Sequence, residues 1–538
     1  MNKKLLRLYW FVICVGFITT SLSGCDDDGY YEFKAPVEKL RQIETLDLDA
    51  VKAEVDSKVD INEVPPEDVN LTLEYCRALA LENNLNIKVQ LIAPAIAAQK
   101  VSEQEARFES AFFTNLTYSK TDTPVSTTLS GSKIDYSNVN LGVEMPLRTG
   151  GTVTFDLAGS RTKTNNATNT ILNPAYGTDA SISISQPLLR NAGRRANTYA
   201  IRIANYDRQI INVQVKLELI RVIADVDRWY WRLYAARQEL EVRKKEYDLA
   251  KAQLDQAKRF VDAGEMPQIE IIRAESGAAD RLEGIIVSEN ELRDRERELK
   301  NLLNKPDLKM ETATALIPET QPDPVHYQLD KKLLVTKALE NRMEMLELEL
   351  RLAADASTID YMKNQALPLV TLAYKYNING LGATQSKSFN TLTDKRFEDH
   401  QLGLQLLIPL GNGAAKSRVL QAFYERKQRL ITRENRQALI ELEVLNALDQ
   451  LESNWQRILA SRQNTILAGR LFKAEKRQFE LGLGTSTDVL DAQTTFANAQ
   501  SSEILAITEY QIALVDLSYA TGTLLGAAKV QWQPIIPK

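Results

Sequence analysis

Cysteine and histidine are nearly missing from this sequence, with three of one and two of the other in 538 residues. Cys14 lies inside an N-terminal apolar run, Cys25 ends that run, and Cys76 alone stands in the body of the chain. A lone thiol excludes an intrachain disulfide framework. His326 and His400 stand far apart with no cysteine near either, so no metal site is expected. No stretch concentrates Lys and Arg among aromatics, and the net charge is only −5. A phosphate-tracking surface, and with it a nucleic-acid partner, is not expected. Beyond the N-terminus no apolar run reaches 18 residues, so no membrane-spanning helix is expected there. Glycine-rich phosphate loops, metal-ligand clusters and a Ser/His/Asp setting are also missing. Charged runs such as Arg293-Asp-Arg-Glu-Arg-Glu298 read as solvated helix surface. These absences point away from an enzyme, and no cofactor is expected.

What is present begins with composition: 44% hydrophobic and 25% charged residues, unlike a disordered chain. Lys3, Lys4 and Arg7 precede an apolar core from Leu8 to Ile18, followed by Leu22-Ser23-Gly24-Cys25. This is the layout of a secretory signal. Leu-Ser-Gly-Cys also resembles the lipobox of bacterial lipoproteins, which implies cleavage before Cys25 and a covalent lipid on it. Asp26, Asp27 and Asp28 follow; an acidic residue there resembles the inner-membrane retention signal of enteric bacteria. Residues 26–69 are acidic, polar and without periodicity, and read as a tether.

The body carries an internal repeat. Ala80-Leu81-Glu82-Asn83 recurs as Ala338-Leu339-Glu340-Asn341, each read as opening a helical stretch. Strand-like segments follow at Phe112 to Tyr118 and Leu369 to Tyr376. Two more, Ile182-Ser-Ile-Ser-Gln-Pro187 and Leu404-Gln-Leu-Leu-Ile-Pro409, end in proline before a Gly/Asn turn. Long helices then start. Leu219, Val226, Leu233, Leu240, Tyr247, Leu254 and Val261 are seven apart, with Ala236, Ala250 and Ala257 three positions on. In the second copy Phe423, Leu430, Val444, Leu451, Ile458, Phe472 and Phe479 share one register. Such spacing specifies coiled-coil seams. A helix from about Ala196 to Ala263 would be roughly 100 Å long.

The strands alternate with period two. Phe112, Thr114, Leu116 and Tyr118 oppose Phe113, Asn115, Thr117 and Ser119, which suits a wall wet on one side and greasy on the other. Strands can cross a membrane only as a closed barrel. One chain has too few for the smallest known, about eight. A barrel shared between subunits is therefore expected, joined to long coiled-coil rods.

In this order, Leu71-Thr-Leu-Glu-Tyr-Cys-Arg-Ala-Leu-Ala-Leu-Glu-Asn-Asn84, Gln186-Pro-Leu-Leu, Phe479-Glu-Leu-Gly482 and Thr487-Asp-Val-Leu-Asp-Ala-Gln493 resemble TolC-type outer-membrane efflux proteins over about residues 70–525. The resemblance implies a mixed α and β membrane protein, a homotrimer sharing a β-barrel of about twelve strands, with a helical periplasmic tunnel. It implies a passive export duct of a tripartite efflux or type I secretion system, in the outer membrane and contacting its lipid. A periplasmic adaptor and an inner-membrane pump are the implied partners. The expected division is a signal peptide over 1–24, a lipidated tether over 25–69 and repeats over 70–305 and 331–525. A linker over 306–330 and a tail over 526–538 complete it. A lipid-anchored periplasmic coiled-coil scaffold without a pore is the alternative.

The resemblance also places sites. Gly264, Glu265, Gly482, Leu483 and Gly484 mark the turns at the periplasmic tip, where an adaptor would dock. Asp488 and Asp491, three apart on one helical face, would ring the periplasmic aperture. Both also suit a helix N-terminus. At a constant offset of 218, Glu270 matches Asp488, while Asp491 is matched by Arg273. One branch of the family locks its closed tip with a basic residue in the second turn; the matching position here is Gly484. Tyr136 to Leu147 and Gly151 to Lys163 read as an extra hairpin with no counterpart in the second copy. It either enlarges the expected four strands per chain to six, or caps the pore or packs at its rim.

Overall fold

The computed structural model describes residues 68–126, 131–165, 171–312 and 314–531. The signal segment, Cys25, the tether up to residue 67 and the tail beyond residue 531 lie outside the described residues.

Proline and chain reversal separate long helices from one sheet. In the first half, β1 (Val69–Leu71), α1 (Leu73–Asn83) and α2 (Leu85–Ala106) lead to β2 (Ala111–Asp122), β3 (Lys133–Pro146), β4 (Thr152–Thr164) and β5 (Ala175–Pro187). Helices α3 (Arg194–Asn197), α4 (Tyr199–Asp262) and α5 (Ile269–Leu303) follow. After β6 (Leu316–Pro318), the second half runs through α6 (Lys331–Asn341), α7 (Met343–Gln365), β7 (Leu369–Gly382), α8 (Gln385–Thr393) and β8 (Glu398–Leu407). It ends with α9 (Gly413–Glu480), α10 (Ser486–Ala520) and α11 (Leu524–Ala527). With 64 and 68 residues, α4 and α9 are each roughly 100 Å long.

Two expectations change. Ala80-Leu81-Glu82-Asn83 and its second copy close short helices instead of opening them. Asn84 breaks the helix: its side-chain oxygen accepts from the amides of Asn86 and Ile87 and starts α2. The sheet, moreover, has six strands where four were expected, in the order β2-β3-β4-β5-β7-β8, all neighbours antiparallel. The extra hairpin is β3 and β4. It joins because it repeats the sheet's two-faced alternation.

That alternation runs across all six strands. Register puts Leu116, Val139, Leu157, Ile182, Tyr376 and Leu404 on one face, with their alternate neighbours. The other face carries Asn115, Asn138, Thr154, Ser183, Asn377 and Gln401. At the outer end α8 lies on the first face over a row of small residues. Gly159, Thr178 and Gly380 are opposite one another there, and the Ser388 hydroxyl donates to the Gly380 carbonyl and bonds Thr178. A side chain at Gly380 would strike the backbone of Ser388.

The helices pack as α4 with α5 and α9 with α10, and α10 also packs against α4. Leu219, Val226, Leu233 and Leu240 are buried, and so are the three alanines Ala236, Ala250 and Ala257. Beyond Leu240 the buried seam passes through Glu246, Ala250, Gln253 and Ala257, while Tyr247 and Leu254 are half-buried. In α9, Val444, Leu451, Ile458 and Phe479 are buried, whereas Phe423 and Leu430 are exposed. The main core gathers Leu71, Val226, Tyr230, Leu233, Leu299 and Leu316, where β1 and β6 pair in parallel beside the long helices. The Tyr230 hydroxyl donates to the Leu71 carbonyl and accepts from the Thr320 amide, tying both strands to α4.

Candidate functional site: the double-turn tip

The two long helices end in the same way. Gly264 and Gly482 take φ of 76° and 73°, left-handed values at which a side chain is strained. Each helix closes with an amide bonding back five residues: Glu265 N–H to the Phe260 carbonyl, and Leu483 N–H to the Gln478 carbonyl. This is the Schellman termination that a glycine permits. The Phe260 and Phe479 rings meet with centroids 6.0 Å apart, so the two turns lie side by side. Leu481 and Leu483 are exposed at the turn, the latter by 77%. Gly484 has no left-handed φ, and a side chain there would approach the backbone of Phe479.

The three acids expected at the aperture behave differently. Asp488 is exposed and forms a capping box: it accepts from the Thr485 amide and hydroxyl, while the Thr485 hydroxyl accepts from the Asp488 amide. These bonds, with Arg273 nearby, hold its carboxyl below the usual range. Asp491 is exposed one turn further along. Glu270 is buried, 6% exposed, between the two turns. One oxygen accepts from the Ser486 amide at 3.1 Å and the other from Arg273 at 2.6 Å. Glu270 thus joins α5 to the start of α10 and takes no part in the exposed acidic surface.

A cluster not singled out in the sequence lies just above. The Arg281 guanidinium of α5 donates to the Leu490 carbonyl at 2.9 Å and the Thr494 hydroxyl at 2.5 Å, both on α10, and faces Glu246 of α4 at 3.5 Å. The Gln493 amide donates to the Glu246 carbonyl. Gly277 lets this happen: a side chain there would come within 2.8 Å of Leu490. The signal available was Gly277 and Arg281 four apart, one turn of helix, but only the packing shows that they face α10. Glu246, Gly277, Arg281, Leu490 and Thr494 line a cavity of about 570 Å³ with Arg243, Arg273, Asp280 and Asp491. Among the described residues no group of His, Cys, Asp or Glu is placed to hold a metal ion. Among them too, no helix is long and apolar enough to cross a membrane.

Residues 334–523 match the outer membrane efflux protein family. The outer membrane protein TolC of Salmonella enteritidis is 27% identical over 206 residues, covering 37% of this chain and 42% of that protein. The chain therefore spans less than half the length of that relative. The outer membrane protein TolC of Vibrio cholerae is 21% identical over 306 residues, covering 56% of this chain and 68% of that protein. The fold is shared with the Campylobacter jejuni CmeC outer membrane channel, at a TM-score of 0.60 and 14% identity, over 84% of this chain and 86% of that one.

Proposed function

We propose that this chain is a member of the TolC-type outer membrane efflux protein family and, on that premise, the channel subunit of an export duct. The observation that carries the reading is the two-faced sheet. Every strand presents an apolar row to one side and a polar row to the other over roughly 20 Å, at about 3.3 Å per residue. That suits the apolar band of a membrane barrel, roughly 25 Å tall. A single six-stranded sheet leaves one open edge on each outer strand, which lipid does not tolerate. Copies of the chain, three in the family arrangement, would close it. The exposed Phe423 and Leu430 on α9 would then meet neighbouring subunits.

The helices would carry the lumen inward to the double-turn tip. Its glycine turns, with Glu265 and the exposed Leu483, offer a docking surface for a periplasmic adaptor; an inner-membrane pump would supply the energy. Exposed Asp488 and Asp491, repeated around the axis, would concentrate negative charge at the aperture. Arg281 and Glu270 would hold the tip shut by tying α5 to α10. A lipid on Cys25 would add a tether to the outer membrane, with the barrel as the main attachment. No catalytic step is assigned to any residue.

Purified protein in planar bilayers should give discrete single-channel conductance and run as a heat-sensitive trimer. A chain that becomes a soluble, non-conducting rod once the lipid is removed would instead be a scaffold.

A further inference from the structure

We infer that the hairpin β3–β4 is part of the pore wall, so that each subunit contributes six strands and the assembly encloses an eighteen-stranded barrel, wide enough for larger cargo than a twelve-stranded one passes. This rests on the channel reading and goes beyond it, because the expected subunit contributes four strands.

Three observations carry it. The hairpin lies in the middle of the sheet, between β2 and β5, and is bonded along its whole length: Ala111–Asp122 pairs with Lys133–Glu144, and Thr152–Thr162 with Ala175–Ser185. A flap over the pore mouth or a rim ornament would not separate β2 from β5. Second, its faces match those of its neighbours. Val139, Leu141 and Val143 on β3 and Val153, Phe155 and Leu157 on β4 continue the apolar row from Leu116 to Ile182. Asn138, Asn140, Thr154, Asp156 and Ser160 continue the polar one. A one-residue slip would turn every one of these side chains to the wrong face. Third, the β3–β4 turn is clamped at the helical end. The Thr149 carbonyl accepts from the Gly193 amide, and its hydroxyl donates to Gln186. Gly150, at φ 92°, sits so close to the Asn191 carbonyl that a side chain would overlap it.

The open edges then take a second copy of this chain. β2 runs away from the helices and β8 runs back toward them, so β8 of one subunit meets β2 of the next antiparallel, as every internal pair does. An even number of strands per subunit is what lets the ring close this way. Phe112, Leu116 and Tyr118 on one edge face the same side as Leu402, Leu404 and Leu406 on the other. Lys120 and Glu398 share that side at the outer end, as opposite charges. Barrel diameter grows roughly linearly with strand number, so eighteen strands give about 1.5 times the diameter and about twice the cross-section of twelve.

Cysteine labelling in outer-membrane vesicles tests this, using the trimer as assembled. Leu141→Cys and Leu157→Cys, like Ile182→Cys on β5, should resist a water-soluble maleimide and react with a lipid-soluble one. Thr154→Cys and Ser160→Cys should react with the water-soluble reagent. If the Leu141→Cys and Leu157→Cys sites react in water while Ile182→Cys stays shielded, the hairpin lies outside the wall and the inference falls, with the channel intact. If Ile182→Cys itself reacts in water, the membrane reading fails and takes this one with it. Polymer exclusion gives a second reading. Removing residues 131–165 leaves β2 followed by β5, still antiparallel, and should lower the size of polyethylene glycol admitted from the outer side. An unchanged limit in a conducting trimer would overturn the inference.

Discussion

Asp227 is fully buried on α4 and accepts two bonds from Arg77 of α1, both 2.7 Å long. Replacing Asp227 by alanine leaves a guanidinium that is mostly buried without its partner. The expected cost is about 3–5 kcal/mol, read as a lower denaturation midpoint. Beside this pair, burial first and Asp227 second push the Cys76 thiol up to about 12. The folded chain should therefore leave Cys76 unreacted with thiol reagents at pH 8, and should release it only on denaturation. Glu344 makes the complementary case. Burial alone would raise it, but the bond and charge of Arg342, with Arg436, outweigh that and hold its carboxyl below the usual range. Its folded pKa is depressed. The stabilisation is therefore present above the ordinary glutamate range and is lost as pH falls through the folded value; acid titration of Glu344→Gln should lack that component. A sequence shows Arg77, Asp227, Arg342 and Glu344 as charges among many. Their importance comes from neighbours 150 residues away in one case and two in the other.

At the scale of elements, the long helices were legible because a seven-residue spacing of apolar side chains admits few other structures. The turns were legible too, because Gly264 and Gly482 follow the last seam residues. Gly482→Ala places a side chain at φ 73° and should cost about 1–2 kcal/mol locally. Faster hydrogen exchange of the Leu483 amide, which bonds Gln478 across the turn, is the measurement. Strand existence was legible from alternation, but strand partners were not. Period two says which residues share a face, and says nothing about which strand lies alongside. Hence the hairpin at 136–163 was read with two possible placements. Likewise Ala80-Leu81-Glu82-Asn83 looked like a helix start, since helix propensity continues on both sides. The Asn84 side chain, bonding the amides ahead, decides otherwise.

At the scale of the molecule, the aperture role proposed for Asp488 and Asp491 requires an assembly. Asp488→Asn with Asp491→Asn should weaken cation preference and change single-channel conductance in folded trimers. Unchanged selectivity would remove them from the conduction path. Glu270 predicts a different phenotype. Its carboxylate is buried against Ser486 and Arg273, so Glu270→Ala should loosen the tip and raise the open fraction with little change in ion preference.

The long helices, the α4 seam from Leu219 to Leu240, the two-faced strands and the glycine turns are properties of local spacing, and the sequence by itself determined them. Which acid is exposed and which buried was left to tertiary packing, as was the meeting of Arg281 with α10 and the merging of six strands into one sheet. The contacts of Glu270 with Ser486 and of Arg281 with Leu490, and the pairing of β5 with β7, join segments about 200 residues apart, and no local spacing records that distance.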